Sequence, residues 1–178
     1  TYYGTALKND KQYDKAIEMF NKAMEENKGN EELVNSNRKA LSDLYLAKEE
    51  FDKATAYYEE YLKHAPKTTA SDMAGLATIY MNLAAKQTGD EQKASFKKAD
   101  DVYARLGEKF PANIDFANFM RARINSNLDP ETKEGLAKPF YEAIVNSLGS
   151  KADRDKADNA RLTEAYRYLG YYYLVKND

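Results

Sequence analysis

The side chains with the clearest chemical potential are Glu60 and His64, which lie four residues apart and so share one face of a predicted helix. A carboxylate and an imidazole at this spacing can supply two ligands to a metal ion. No third ligand accompanies them, since the chain contains one His and no Cys. A His near the carboxyl end of a helix is also favourable on a solvated face. We therefore predict that this pair holds no metal.

Residues that could act as a catalytic set are also missing from the sequence. The carboxylate pairs Glu59-Glu60 and Asp100-Asp101 are adjacent, so on a helix their side chains point apart rather than toward one substrate. The chain has no glycine-rich phosphate loop and no Gly-x-Ser-x-Gly elbow, the motifs that position phosphates and nucleophilic serines. We predict that the protein is not an enzyme and that it uses no cofactor.

Composition narrows the classes of partner. The net charge of −2 over 178 residues provides no basic field for nucleic acid, so we expect no nucleic-acid partner. The absence of Cys excludes disulfides and thiolate chemistry, although it leaves the compartment open. No apolar run approaches the length of a transmembrane helix, and we expect no transmembrane segment.

The segment that organises the chain is Leu41 to Pro66, which reads as two helices joined by a short turn. Apolar and aromatic residues recur in it at three- and four-residue spacing, as on the buried faces of two paired helices. Ala54 lies where the two helices would cross, because a small side chain there lets the backbones approach closely. Pro66 would end the second helix.

This pattern returns along the chain. Ala16 and Ala54 are 38 residues apart, and self-similarity at such a period is typical of a helical solenoid. The matching strings are Tyr13, Ala16, Phe20 and Ala23; Phe51, Ala54, Tyr58 and Tyr61; Phe96, Ala99, Tyr103, Leu106 and Pro111; and, more faintly, Ala137, Tyr141 and Ile144. In these positions, and in Tyr166, Leu169, Gly170 and Tyr173 of the last segment, the chain resembles the tetratricopeptide repeat family of the bacterial type. The resemblance implies an all-α, right-handed solenoid of helical hairpins.

The repeat logic predicts one solenoid domain with units at about 1–30, 31–68, 69–112, 113–149 and a half unit at 154–178. Phe96 lies 16 residues after Tyr80, whereas Phe51 lies six residues after Tyr45, so the third unit is ten residues longer than the second. We predict that both of its helices are extended, with the turn at Thr88-Gly89-Asp90 and Asp90 as the helix cap. A ten-residue loop is the alternative.

Three further helix ends follow from local signals. Gly29 is expected to end the second helix in a left-handed conformation. Asp129-Pro130-Glu131 is expected to start a helix, and Pro139 to kink or break that helix. The final helix, Asn159 to Val175, would then leave the face with Tyr166, Leu169, Gly170 and Tyr173 uncovered. We therefore expect the sequence to be a fragment of a longer chain, with a homodimer through this helix as a further way to cover the face.

The resemblance also implies where a partner binds. In the family, the first helix of each pair lines a concave wall that holds a peptide or a partner's helix. We therefore expect a protein-binding scaffold, with a self-associating structural spacer as the alternative. The lysine and asparagine clamp of members that bind chaperones is absent, because Thr1, Thr5, Ala40, Ser71 and Gly75 stand at its positions.

Placed on these units, the inward side chains are polar and aromatic. Three of them are cations, Lys39, Arg123 and Arg167, and together they predict a ligand with acidic or carboxylate groups. Thr5, Lys8 and Ser36 also face inward in the first two units. The predicted partner-binding residues are Lys39, Asp43, Thr78, Asn82, Phe119, Arg123, Arg167, Tyr171 and Leu174.

Overall fold

The computed structural model describes residues 12–176, and within that range the chain is built from α-helices and contains no strand. This confirms the all-α prediction. The predicted helix at the start of the chain, with Thr5 and Lys8, lies outside the described residues. The helices are α1 (Tyr13–Glu26), α2 (Glu31–Ala47), α3 (Phe51–His64), α4 (Ala70–Lys86), α5 (Gly89–Lys109), α6 (Ile114–Leu128), α7 (Lys138–Leu148) and α8 (Lys156–Lys176), with a 3₁₀ turn at Pro111–Asn113.

The chain forms two compact units, one up to Leu83 and the other from Ala84 onward. We call them the N-terminal unit and the C-terminal unit and describe each by itself. Among residues 12–176, no helix combines the length and the apolar character that spanning a membrane requires.

The hairpin of α2 and α3 has the close helix packing that the sequence predicts. Ala54 is fully buried, and the hydroxyl of Ser42, which replaces the glycine usual in such hairpins, donates a hydrogen bond of 2.6 Å to the Ala54 carbonyl oxygen. The rings of Tyr45 and Tyr57 stack with centroids 5.4 Å apart. A larger side chain at position 54 would therefore have no space between the two helices.

The added residues of the third unit are helical, as predicted, and the ten-residue loop is wrong. Helix α5 has 21 residues against 14 in α3, whereas α4 has 17 residues, as α2 does, because it begins closer to its key tyrosine. Lys86 ends α4 six residues after Tyr80, and α5 begins at Gly89, seven residues before Phe96. The helical residues added between Tyr80 and Phe96 thus amount to about one turn in α4 and two turns in α5. Asp90 lies in the first turn of α5, and Thr88 occupies the cap position in its place.

The prediction for Gly29 is wrong. The only glycines of the described chain with a left-handed backbone are Gly89 and Gly135. Helix α1 ends at Glu26, and the side-chain amide of Asn27 donates a hydrogen bond of 2.8 Å to the Ala23 carbonyl. A side chain therefore satisfies a terminal carbonyl that a glycine turn would otherwise have satisfied.

The predicted helix start at Asp129 is also wrong, because this residue organises a loop. One oxygen of the buried Asp129 carboxylate accepts hydrogen bonds from the backbone N–H groups of Glu134, Gly135 and Leu136, at 3.0, 2.7 and 3.4 Å. Gly135 has φ +72°, and a Cβ there would lie 2.5 Å from the ring of Tyr172. The loop thus needs both the carboxylate and the glycine.

Pro139 produces no kink in a helix. Helix α7 begins at Lys138, so Pro139 occupies its first turn, where its missing N–H costs nothing. The carbonyl of Gly135, which we expected to be unpaired, accepts a hydrogen bond from the Lys138 N–H at 3.0 Å.

The core of the C-terminal unit includes the side chains where α6, α7 and α8 meet. Its buried members are Ala122, Ala137, Tyr141, Ile144, Leu148, Leu162 and Ala165. Phe119, Tyr168 and Leu169 pack against this cluster while partly exposed. On the other sides of α8, Tyr166, Tyr171, Tyr173 and Leu174 are exposed by 55%, 52%, 49% and 68%. Leu169 of the predicted uncovered face is therefore partly covered within the unit. Tyr166 is exposed, and Tyr173 is about half exposed, with its hydroxyl donating a hydrogen bond of 3.2 Å to Glu142 on α7.

Candidate partner-binding surfaces

The N-terminal unit contains a groove of about 730 Å³ along one stripe of α2. The stripe contributes side chains at three- and four-residue spacing, so they face the groove together. The opposite wall is the last turn of α3 and the chain that follows it. The lining residues that matter below are Ser36, Lys39, Ala40 and Asp43 on α2, and Tyr61, His64 and Pro66 opposite. Two predicted binding residues, Lys39 and Asp43, thus lie in one groove.

Lys39 is held in the groove by an ion pair and by aromatic rings. Its Nζ lies 3.1 Å from Asp72 Oδ1 and 4.9 Å from the centroid of the Tyr61 ring. Burial alone would lower the pKa of Lys39, but the hydrogen bond to Asp72 raises it above its usual value. The side chain is still 43% exposed. Lys39 therefore presents a positioned cation whose charge is largely balanced from within the unit.

Asp72 is the centre of this network and was missed by the sequence analysis. Its carboxylate accepts hydrogen bonds from the Thr69 backbone N–H at 3.0 Å, the Thr69 hydroxyl at 2.7 Å and the Tyr61 hydroxyl at 3.0 Å. The Asp72 N–H donates in return to Thr69 Oγ1 at 3.1 Å, which makes a reciprocal cap at the start of α4. The Thr-x-x-Asp spacing was the signal that could have identified it.

This network makes stability depend on acid pH. Burial alone would raise the pKa of Asp72, but the hydrogen bonds from Thr69, Lys39 and Tyr61 outweigh burial and hold it at about 2. The pKa lies below that of the unfolded chain, so the stabilisation is complete above about pH 4 and is lost as the pH falls toward 2. We expect about 2 kcal/mol of unfolding free energy to be lost over that range.

The measurement is urea unfolding at several pH values for wild type and Asp72→Asn. Other carboxylates also titrate, so the difference between the two proteins isolates Asp72. Wild type should be the more stable protein above pH 4, and the difference should shrink as the pH approaches 2. Parallel pH profiles for the two proteins would contradict the assignment.

The Glu60 and His64 pair is accompanied by a third carboxylate that the sequence did not reveal. His64 Nε2 lies 3.4 Å from Glu60, and His64 Nδ1 lies 3.0 Å from Glu31 at the start of α2. The Glu31 carboxylate is already hydrogen bonded to Arg38 at 2.7 Å. Within residues 12–176, no group of three or more His, Cys, Asp or Glu side chains is arranged to hold a metal ion. These side chains form a polar cluster at the edge of the groove.

Two predicted residues lie on α4 and do not line the groove. Thr78 is exposed, and its hydroxyl donates to the Ala74 carbonyl of the same helix at 2.9 Å. Asn82 is half-buried. Their role in partner binding stays a prediction.

In the C-terminal unit, Arg123 is engaged in a two-pronged ion pair. Its Nε and an Nη lie 2.8 and 2.6 Å from the two carboxylate oxygens of Glu164 on α8. The guanidinium also stacks on Phe119, 4.3 Å from the ring centroid. Tyr141 donates to the same Glu164 carboxylate at 2.9 Å. The hydrogen bond from Arg123 is the main reason that the pKa of Glu164 lies below its usual range.

The remaining predicted residues continue this surface along α8. Glu164, Arg167, Tyr171 and Leu174 follow one another at intervals of three or four residues, which places them on one side of the helix. Arg167 is exposed and makes no ion pair with another residue of the described chain. Of the five predicted residues of the C-terminal unit, Phe119 and Arg123 therefore lie on α6, and Arg167, Tyr171 and Leu174 lie on α8 on the side that carries Glu164.

Comparisons with known proteins agree with this architecture. The family model for the tetratricopeptide repeat matches residues 9–83. A solved structure described as a thermophilic tetratricopeptide-repeat protein of Thermus thermophilus is similar, with a TM-score of 0.52 and 18% sequence identity. The similarity covers 96% of this chain and 81% of that one, and at this identity it establishes the fold alone. No curated protein matches the chain.

Repeats of this family generally mediate protein–protein interactions, and their fold is typically non-catalytic. The family match covers the N-terminal unit, and the similarity in fold extends over nearly the whole chain. Over residues 9–83 the chain is therefore similar to the tetratricopeptide repeat family.

Proposed function

We propose that this protein is an interaction scaffold that binds a peptide or an extended segment of a partner protein in the groove of the N-terminal unit. The groove itself supports the proposal most strongly. Its α2 wall includes Ser36, Lys39 and Asp43, the three residues of this helix that the repeat resemblance predicts for the inner face.

The groove suits an extended segment for physical reasons. Ala40, Tyr61 and Pro66 supply apolar surface, and the Ser36 hydroxyl and the Lys39 ammonium group supply hydrogen-bond donors. The Asp72 network holds Lys39 and Tyr61 in place before a ligand arrives. Such preorganisation lowers the entropy cost of binding.

The proposal includes the second set of predicted residues, Phe119, Arg123, Arg167, Tyr171 and Leu174, as a contact surface of the C-terminal unit. Because Arg123 forms an ion pair with Glu164, it is unsuitable for a test of binding in this unit. Arg123→Ala would break a link between α6 and α8 as well as remove a cation. Arg167 makes no ion pair with another described residue, so its removal tests binding with less effect on the link between the helices.

The test of the groove is a pair of arginine substitutions. Ser36 is exposed within the groove, so Ser36→Arg should block a ligand without disturbing the core. Ala56 is exposed on α3 and does not line the groove, so Ala56→Arg is the matched control. Peptides selected from a random display library on wild type should lose at least tenfold in affinity for Ser36→Arg, because a buried contact is replaced by a steric and charge conflict.

The control should bind as wild type does. Equal affinity for wild type and Ser36→Arg would exclude the groove as the binding site. Equal weakening by both substitutions would show a general effect of added charge, with the same consequence for the proposal.

Self-association is the second candidate, and the exposed rings of Tyr166 and Tyr173 on α8 favour it. Aromatic side chains of this kind are common in protein interfaces, and homodimerisation through α8 would cover them. Light scattering at two concentrations separates the candidates, because a spacer that self-associates gains mass with concentration and a monomeric adaptor does not.

A further inference from the structure

The surface around Arg167 has an open positive charge beside exposed apolar side chains. On this side of α8, Glu164 is bonded to Arg123 and Tyr141, so the base of the surface is fixed. Arg167, Tyr171 and Leu174 extend from that base into solvent, and the last two are exposed by 52% and 68%.

The charge that remains open is that of Arg167. The guanidinium of Arg123 is matched by Glu164, whereas that of Arg167 has no ion-pair partner in the described chain. The two units also differ in sign, since residues 1–83 carry 11 basic against 14 acidic side chains and residues 84–178 carry 16 against 15. An acidic ligand is therefore repelled less by the nearly neutral C-terminal unit than by the acidic N-terminal one.

The spacing of Arg167, Tyr171 and Leu174 along α8, which we call the row, indicates the shape of the ligand. Tyr171 and Leu174 lie about 6 and 10 Å along the helix axis from Arg167. A partner that satisfies all three needs a carboxylate and, one and two helical turns away, apolar side chains. An amphipathic helix with an acidic residue at the edge of its apolar stripe has this arrangement.

We propose that Arg167, Tyr171 and Leu174 bind an acidic amphipathic helix of a partner protein, with Arg167 pairing with a carboxylate of that helix. A planar guanidinium can form two parallel bonds to a carboxylate, and the two apolar side chains supply the buried area. This inference rests on the proposed role as a protein-binding scaffold, but it does not depend on the groove of the N-terminal unit.

The test uses synthetic helical peptides of about 20 residues, long enough to be helical in water. The first peptide has a Glu and two Leu side chains on one face at the spacing of the row. The second replaces the Glu by Gln, and the third has the residues of the first in scrambled order. Fluorescence anisotropy measures the binding of each to the full chain and to Arg167→Gln, Tyr171→Ala and Arg105→Gln. Arg105 is an exposed arginine on α5 of the same unit and serves as the matched control.

We expect wild type to bind the Glu peptide about tenfold more tightly than the Gln peptide, as one charge-assisted pair provides. Arg167→Gln should remove this difference, Tyr171→Ala should weaken both peptides, and Arg105→Gln should change nothing. The inference is overturned if the Glu peptide does not bind or binds no better than the scrambled one. It is also overturned if Arg105→Gln has the same effect as Arg167→Gln.

Ser36→Arg separates this inference from the groove proposal. The Glu peptide should bind this variant as it binds wild type, because position 36 lies in the other unit. Loss of the peptide on Ser36→Arg would place it in the groove, which contradicts the inference and leaves the groove proposal intact.

Discussion

Replacement of Asp129 by Ala should destabilise the protein by roughly 2–4 kcal/mol, because three backbone N–H groups lose their acceptor at once. The shortest of the three bonds, from Gly135, is buried, so water cannot fully replace the carboxylate there. The loop that Asp129 closes lies between α6 and α7 and brings Gly135 against the Tyr172 ring of α8. Thermal and urea unfolding of the variant measure the loss.

Two variants serve as controls for this prediction. Asp129→Asn keeps one oxygen acceptor and should lose less stability than Asp129→Ala. Asp153→Ala removes an exposed aspartate from the connector before α8 and should change stability by less than about 0.5 kcal/mol. Equal midpoints for wild type and Asp129→Ala would show that the loop does not depend on the carboxylate.

Ala54→Leu should cost roughly 1–3 kcal/mol, since the added carbons have no space between α2 and α3. Ala54 is fully buried, and its carbonyl oxygen accepts a hydrogen bond from the Ser42 hydroxyl. The extra side chain would therefore separate helices that are held together by packing and by this hydrogen bond. Urea unfolding followed by circular dichroism measures the effect.

Ala56→Leu is the matched control, because Ala56 is exposed on the same helix. Its unfolding midpoint should remain close to that of wild type. A midpoint for Ala54→Leu that equals the control would show that the site is open and that the two helices do not approach there.

The periodic features of the fold could be predicted from the sequence. Ala16, Phe20, Ala54, Tyr58 and Ala99 recur at repeat spacing, and each is buried. The periodicity of apolar residues indicates which face of a helix is buried. Burial of that face provides most of the stabilisation of a helical repeat. The same signal predicted that the ten residues added to the third unit are helical.

Single helix ends were harder to predict, because the same residue types cap helices and organise loops. Asp129 has the signature of a helix cap, yet its carboxylate bonds to backbone groups five to seven residues later. Whether an aspartate does one or the other depends on packing that no local pattern contains. Gly29 was misread for the same reason, since the Asn27 side chain satisfied the helix end instead.

The ion pairs of the candidate sites could not be predicted at all. Lys39 and Asp72 are 33 residues apart, and Arg123 and Glu164 are 41 apart. The sequence predicted that these cations face inward, but only the fold determines which carboxylates meet them. These partners decide which cation remains without an ion pair, and that difference is the reason that we propose Arg167 as the contact for an acidic partner.

The most direct measurement of the central claim is photo-crosslinking from the groove. A benzophenone amino acid is placed at position 36 in the groove or at position 56 on the exposed side of α3, and each protein is illuminated with a peptide selected on wild type. The account predicts a covalent adduct from position 36, competed by unlabelled peptide, and none from position 56. Adducts of equal yield from both positions, or from position 56 alone, would contradict it.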